Sequence, residues 1–164
     1  MSNPPAPHDV TDPAAVAATL NAHPDGYNRH IGLTFVRCSG DEVVATLEVT
    51  PELLQPYGIV HGGVHCGAIE TVCSVGAALA ALPRNQSVVG LENNTSFLKA
   101  VRSGTLTVTA TPLTRGRRSQ LWEARVTDGE ERLVAKGSVR LLAMDQGSQL
   151  AGEAAGVQQT ERPA

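Results

Sequence analysis

A histidine, two glycines and an acid lie close together in the least polar part of this sequence. His61, Gly62 and Gly63 are consecutive, Glu70 follows in a stretch of small and apolar residues, and Gln55 precedes them. Glycines expose backbone N–H groups, and a carboxylate is costly to place in apolar surroundings unless it has a use there. The combination predicts chemistry on an acyl group.

The segment from Gly62 to Ala81 predicts a long helix that begins at these glycines. It consists mainly of Gly, Ala, Val, Ile, Cys and Leu, and it is closely followed by Pro83, which cannot continue a helix. A helix that is apolar nearly all round is expected to be buried on most sides. Its N-terminus carries about half a positive charge and several unpaired N–H donors, which would polarise a carbonyl group docked there.

The helix separates the two halves of this candidate site. Glu70 lies about two turns beyond the glycines, which at 1.5 Å per residue is on the order of 10–12 Å. The two groups therefore cannot both touch one carbonyl, so a single chain cannot complete the site. Two such helices that run antiparallel across a two-fold axis would bring each Glu70 near the helix start of the other chain.

The remaining sequence predicts mainly strands. A short helix over 14–20 follows Thr11-Asp12-Pro13, and two strands, 33–37 and 42–50, precede the long helix. Four stretches rich in Val, Thr and Leu come after it and are expected to form an antiparallel meander: 87–98, 105–114, 120–127 and 133–142. The predicted fold class is α+β, with one antiparallel sheet of five to six strands wrapped around one long central helix.

The 164 residues are long enough for one domain with its own core. We expect it over 11–144, between disordered segments at 1–10 and 145–164, the second of which is rich in Gln, Gly, Ala and Glu. The N-terminus lacks the pattern of a secretory signal, and the longest apolar run, 72–82, is far short of the roughly 20 residues that span a bilayer. The sequence therefore predicts no export and no membrane partner.

The net charge and the cysteines also bear on the partners and the compartment of the protein. The net charge of −3 gives no overall attraction to nucleic acid. Three cysteines, Cys38, Cys66 and Cys73, show no zinc or redox spacing, which favours a reducing, cytoplasmic compartment.

The predicted elements, together with Gln55, His61-Gly62-Gly63 and Glu70, resemble the hotdog-fold acyl-CoA thioesterases of the 4-hydroxybenzoyl-CoA and phenylacetate-pathway group. The likeness covers roughly residues 31–142 and includes the segment 88–94, Gly104 and the turn 115–118. It implies a hotdog fold and hydrolysis of an acyl-CoA thioester to free acid and CoA, without a cofactor, by a homodimer or homotetramer. The acyl group is left open.

The resemblance also implies roles for individual residues. Gly62 would donate its N–H to the thioester carbonyl, with Gly63 beside it. Glu70 would act as the nucleophile or as a general base on water. Gln55 would position substrate or water, and Ser74 would orient the water.

Further candidates rest on their own chemistry. His61 could orient the glycine turn or transfer a proton. A strand disfavours asparagine, so Asn94 and its neighbour Asn93 are expected to face the acyl pocket or an interface. The phosphates of CoA would dock on a basic cluster at strand ends, formed by Arg115, Arg117 and Arg118 with Arg102 and Lys99.

Other kinds of site fit the sequence less well. His61 and His65 are spaced to bind a metal from one helix face, with Cys66 or Glu70, but Gly62 occupies the place of the glutamate in an HExxH motif. We therefore predict no metal and expect His65 to be a satisfied helix histidine. Two alternatives to the hydrolase remain: a non-catalytic acyl-CoA sensor on the same fold, and a hotdog hydratase or dehydratase.

Overall fold

The computed structural model describes residues 12–23 and 26–155. Three helices and eight strands follow in chain order, together with short 3-10 turns at Pro51–Leu53 and Leu82–Arg84: α1 (Pro13–Ala22), α2 (Gly26–Ile31), β1 (Thr34–Cys38), β2 (Val43–Glu48), α3 (Gly62–Ala81), β3 (Gln86–Phe97), β4 (Thr105–Arg115), β5 (Ser119–Thr127), β6 (Leu133–Asp145), β7 (Gln149–Leu150) and β8 (Glu153–Ala154). The long helix begins and ends where the sequence predicts.

Six strands form one antiparallel sheet in the order β1-β2-β4-β5-β6-β3. Helix α3 packs against β2, β3, β4, β5 and β6. The predicted fold class, an α+β sheet wrapped around one long helix, is therefore confirmed.

The predicted meander is correct for β4, β5 and β6 but wrong for β3. Strand β2 pairs with β4, and β3 pairs instead with β6 at the far edge of the sheet. Seven residues separate Phe97 from Thr105, more than the tight turns that join neighbouring antiparallel strands. Because β3 ends the sheet, its outer edge pairs with no other strand of residues 12–23 and 26–155.

Close packing between α3 and the sheet depends on a glycine. Trp122 is fully buried, and its ring occupies the space that a Cβ at position 76 would need. Gln120, also fully buried, accepts a hydrogen bond from Trp122 Nε1 and donates one from Nε2 to Ala77 O, both at 3.0 Å. This satisfied polar link, which the sequence does not predict, fixes β5 against the second half of the helix.

Helix α1 begins as predicted, with Asp12 as its N-cap, accepting a hydrogen bond from Ala14 N at 3.0 Å. The Asn21 side chain bonds both the N–H and the C=O of Phe35, which holds α1 on β1. Helix α2 was not predicted, since its six residues are too short to show a helical period. It places Tyr27 against Gly63 and Gly67 of α3.

The predicted disordered segment 1–10 lies outside the described residues. In the C-terminal segment, β6 continues to Asp145 and β7 pairs with β8, so the prediction of an unstructured tail is wrong for residues 145–154. Gly147 and Gly152 have φ of +85° and +88°, which glycine adopts without strain and which permits the turns there. Residues 156–164 are not described.

The stretch Gly62–Arg84 has the length and mean hydropathy, 1.5, that a membrane-crossing helix would need. It lies against five strands of the sheet, which is the position of a core helix.

The contact between position 76 and Trp122 predicts an unusual effect of alanine. Gly76→Ala improves helix propensity, yet its methyl group would collide with a buried ring, so we expect a loss of about 1–3 kcal/mol in the free energy of unfolding. Urea denaturation at fixed protein concentration measures it. Gly67→Ala is the matched control, because the half-exposed Tyr27 side chain that it meets can move aside. A Gly76→Ala protein as stable as wild type would contradict this packing.

Candidate active site

The first turn of α3 presents one free amide. His61 is the N-cap, and its Nδ1 accepts a hydrogen bond from Gly63 N at 2.9 Å, while its carbonyl accepts from Val64 N at 2.9 Å. Within the part of the chain described, Gly62 N–H donates to no acceptor. Of the two predicted glycine donors, Gly62 is thus the one left available to a ligand, and His61 orients the turn.

A cleft of about 200 Å³ opens beside this amide. Its lining includes Gln55, Gly62, His65, Phe97 and Lys99. The Phe97 ring lies so close to Gly62 that a Cβ there would come within 2.8 Å of Cζ, so only glycine leaves this surface open. The cleft brings the predicted Gln55 and Gly62 together at the helix N-terminus.

The loop that carries Gln55 is tightly held. Gln55 N donates to Ile59 O, and Gly58 N donates back to Gln55 O, each at 2.8 Å. Arg102 Nη1 donates to the carbonyls of Tyr57 and Gly58, both at 2.9 Å. Arg102, which the sequence grouped with the CoA-binding cations, therefore supports the loop.

Glu70 is half-buried at the edge of the sheet. Asn93 Nδ2 donates to its Oε2 at 2.9 Å, and Ser74 Oγ donates to its Oε1 at 3.4 Å. The carboxylate occupies the space that a side chain at Gly90 would fill. No basic side chain in the described ranges pairs with Glu70, so the carboxylate is held by neutral donors.

The asparagine that reaches the acid is Asn93, and Asn94 does not. Asn93 also donates to Cys66 O at 3.1 Å, and Thr95 Oγ1 donates to Asn93 Oδ1 at 2.7 Å, which fixes the orientation of the amide. Successive side chains of a strand point to opposite faces, so Asn94 is directed away from Glu70. Within one chain Asn93 therefore anchors Glu70, and the substrate contact of Asn94 stays a prediction.

His65 differs from its prediction. The side chain is only 3% exposed, and Nδ1 has no hydrogen-bond partner, so it is not the satisfied histidine we expected. Its ring centroid lies 6.1 Å from that of Phe97, and burial lowers the pKa of the imidazole. Across residues 12–23 and 26–155, no three His, Cys, Asp or Glu side chains group as metal ligands.

The structure places the arginines of the predicted basic cluster in different surroundings. Arg115 forms an ion pair with Asp41 and donates to Gly40 O, so it ties β4 to the β1–β2 turn and we assign it to the fold rather than to the substrate. Arg117 and Arg118 line a second cleft of about 410 Å³, with Gln86 at the start of β3. Phe97 and the first cleft lie at the other end of that strand.

Comparisons with known proteins agree with this geometry. The sequence model of the thioesterase superfamily matches residues 57–135. A Mycobacterium tuberculosis protein named as a candidate esterase is 42% identical over 139 residues, which cover 84% of this chain and 90% of that protein. This chain belongs to the thioesterase superfamily. The 1,4-dihydroxy-2-naphthoyl-CoA hydrolase of Listeria monocytogenes is 37% identical over 109 residues, 66% of this chain and 88% of that enzyme.

Solved structures of thioesterase superfamily proteins share the fold. That of the M. tuberculosis relative matches with a TM-score of 0.73 and 43% identity, covering 74% of this chain and 98% of that one. A thioesterase from Haemophilus influenzae matches with a TM-score of 0.73 and 32% identity, covering 79% and 90%. The predicted hotdog fold and the predicted family are confirmed.

The capping contact of His61 predicts a graded effect on stability. His61→Leu removes the Nδ1 acceptor, and we expect a loss of about 1 kcal/mol in the free energy of unfolding, as for other lost N-caps. His61→Asn supplies a side chain that is preferred at this position and should restore most of it. Urea denaturation of the three proteins gives the values. Equal stability of the leucine and asparagine variants would show that the cap contributes nothing.

Proposed function

We propose that this protein hydrolyses an acyl-CoA thioester to the free acid and CoA. The observation that carries the proposal is that one helix holds two groups: a Gly62 N–H without a hydrogen-bond acceptor and a Glu70 carboxylate without a basic partner, both among the described residues. Membership of the thioesterase superfamily supports hydrolysis of thioesters in general. The Listeria relative, named as a CoA thioester hydrolase, supports CoA as the thiol.

In the proposed reaction the thioester carbonyl binds at Gly62 N–H. Charge that develops on the carbonyl oxygen is stabilised by that amide and by the positive end of α3. In one course, Glu70 takes a proton from water as the water adds to the carbonyl carbon. The C–S bond then breaks, and the CoA sulfur receives the proton from Glu70.

In the other course, a Glu70 oxygen attacks the carbonyl carbon and CoA leaves as the thiolate. Water then hydrolyses the mixed anhydride to the free acid and the Glu70 carboxylate, and the second proton released from that water converts the thiolate to the thiol. Ser74 and Asn93 hold the two Glu70 oxygens in either course. Gln55 would orient substrate or water from the opposite wall of the cleft.

The site is composite, with Gly62 and Glu70 supplied by different chains. Glu70 lies beside Gly90 on β3, and Gly62 lies under Phe97 on the same strand. Gly90 and Phe97 are equally far from the midpoint between Asn93 and Asn94. Antiparallel pairing of β3 with its copy about this midpoint would therefore set each Glu70 opposite the partner's Phe97 and Gly62.

Strand β3 has the properties of such an interface. Its twelve residues form an edge that has no partner strand among the residues that the structure describes, and long open edges invite pairing with another strand. Large apolar side chains on and just after this edge are exposed: Leu91 at 57%, Phe97 at 57% and Leu98 at 52%. Pairing would cover them.

The same pairing supports a place for CoA. If the two-fold axis passes between Asn93 and Asn94, the end of β3 at Gln86 in one copy lies opposite the segment that begins after the partner's Phe97. The cleft lined by Arg117 and Arg118 would then adjoin the partner's cleft at Gly62, and its guanidinium groups would meet the phosphates. A cytoplasmic location and the pairing of dimers into a homotetramer remain predictions of the same proposal.

The role of Glu70 predicts a large loss of rate. We expect Glu70→Gln to lower kcat for thiol release by about 100-fold or more, because the amide can neither accept the proton nor attack. Acyl-CoAs with aromatic, short, medium and long acyl groups are assayed with a thiol reagent. Glu130→Gln, in the exposed β5–β6 turn, is the control and should retain full rate. Equal rates for Glu70→Gln and wild type would remove Glu70 from the mechanism, and a wild type that binds acyl-CoA without releasing thiol would favour the sensor.

The β3 pairing predicts a specific sensitivity to charge. Asn94→Lys places two like charges near the proposed axis, so we expect the dimer dissociation constant to rise about tenfold or more, with activity lost at low protein concentration. Analytical ultracentrifugation measures it. Thr114→Lys, exposed near the end of β4, should leave the dimer unchanged. A dimer insensitive to Asn94→Lys would place the interface elsewhere.

A further inference from the structure

Two polar side chains of β3, Asn93 and Thr95, lie on the face of the sheet that packs against α3. They are alternate residues of the strand and so share a face, and Asn93 reaches the helix backbone at Cys66 O. Asn93 lies opposite Val139 of β6, which is fully buried, and Thr95 lies opposite Gly137. Packing alone would favour apolar side chains at both positions, and asparagine is disfavoured in strands.

The amide of Asn93 uses both of its ends. Its two N–H groups donate to Glu70 Oε2 at 2.9 Å and to Cys66 O at 3.1 Å. Its Oδ1 accepts a hydrogen bond from Thr95 Oγ1 at 2.7 Å, a normal length for a hydroxyl donor. Hydrogen bonds in a chain polarise one another, so a bond donated to the amide oxygen also strengthens the amide N–H groups as donors. Thr95 therefore holds and strengthens the group that holds the acid.

A glycine on β6 makes room for the Thr95 hydroxyl. A Cβ at Gly137 would lie 2.6 Å from Thr95 Oγ1 and 2.9 Å from Asn94 O. Glycine inside a strand weakens it and often marks the close approach of another group. Since threonine is also stiff about χ1, the hydroxyl is placed by its own strand and by the neighbouring one.

The two oxygens of Glu70 are held unequally as a result. Oε2 has the Asn93 bond, whereas the contact of Oε1 with Ser74 Oγ is 3.4 Å, which is longer than ordinary O–H···O bonds. Oε1 lies on the side of β3 where Gly90 has no side chain to cover it. A carboxylate with one oxygen fixed presents the other in a defined direction.

We infer that Thr95 is a positioning residue for the proposed reaction and acts on Glu70 through Asn93. Its hydroxyl holds the amide, the amide holds Oε2, and Oε1 is left to take the proton of water or to attack the carbonyl carbon. Thr95 Oγ1 donates to Asn93 and not to Glu70, so its effect passes through the amide. This inference rests on the proposed function and extends its site along β3.

The proposed dimer would strengthen this chain of hydrogen bonds. In a single chain Asn93 is exposed, and exposed hydrogen bonds compete with water. Pairing of β3 with its copy would cover Asn93, and hydrogen bonds are stronger where water is excluded. The variants below are therefore compared at a protein concentration at which sedimentation shows a dimer.

The test removes only the hydroxyl. Thr95→Val keeps the shape of the side chain, and we expect kcat for thiol release to fall about tenfold with KM little changed, because the acid is misplaced while substrate binding is kept. Thr95→Ser keeps the hydroxyl and should retain most of the rate. Thr109→Val, the same change at a half-buried position of β4, is the control and should keep the full rate.

A double-mutant cycle tests whether Thr95 acts through Asn93. Asn93→Leu removes the amide and should itself lower kcat, so Thr95→Val in that background should cause no further loss. Asn93→Ala serves as the background if the leucine variant does not fold. The same fold-loss from Thr95→Val with and without Asn93 would show an independent effect and overturn the inference.

The readouts separate positioning from a structural role, since damage to the fold would lower Tm or the fraction of dimer. A loss of kcat in Thr95→Val that serine restores, with Tm and dimer kept, supports the inference. A Thr95→Val protein as active as wild type, or a loss that serine does not restore, overturns it while Glu70→Gln still loses its rate. Absence of thiol release by wild type from any acyl-CoA overturns the proposed function itself.

Discussion

The rigidity of helix α3 sets the distance between the Gly62 amide and the Glu70 carboxylate. Eight residues of regular helix separate them by about 12 Å, and five strands of the sheet pack against that helix. In the proposed function, a second copy of the chain therefore supplies one of the two groups that act on one carbonyl. The open edge of β3, with Glu70 near one end and Gly62 near the other, offers the geometry for that exchange.

Glycines make this arrangement possible by letting other groups approach the backbone. Gly76 admits the Trp122 ring and allows the helix to lie close to the sheet. Gly90 leaves room for the Glu70 carboxylate beside β3, and Gly62 lies directly under Phe97. The polar contacts then orient what the glycines admit: His61 takes up the Gly63 amide, and Asn93 and Ser74 hold the acid. Glycines on α3 and β3 therefore serve both the packing of the helix against the sheet and the arrangement of the candidate site.

Much of this could be predicted from the sequence because it depends on local patterns. The bounds of α3, the β4–β6 hairpins and the positions of Gly62 and Glu70 follow from composition, turn residues and helix rise. The placement of β3 beside β6 could not be predicted, since it depends on whether β2 or β3 pairs with β4. Which asparagine bonds Glu70 depends on the face of β3 to which each side chain points. The ion pair of Arg115 with Asp41 depends on the approach of a distant turn, and the unpaired Nδ1 of His65 depends on tertiary burial. Each of these is a contact between residues far apart in the chain.

Mixed dimers test the shared site most directly. Gly62→Pro removes the free N–H and places ring atoms against Phe97, so it disables this half of the site. The helix should tolerate it, because proline is favoured at a first helical position and the extended backbone of His61 suits a following proline. Glu70→Ala removes only the acid. We expect each variant to be inactive alone, and their co-expressed mixture to recover about a quarter of wild-type thiol release, because half of the dimers then hold one intact site of two. A mixture that contains heterodimers by native mass spectrometry yet stays inactive would contradict the account.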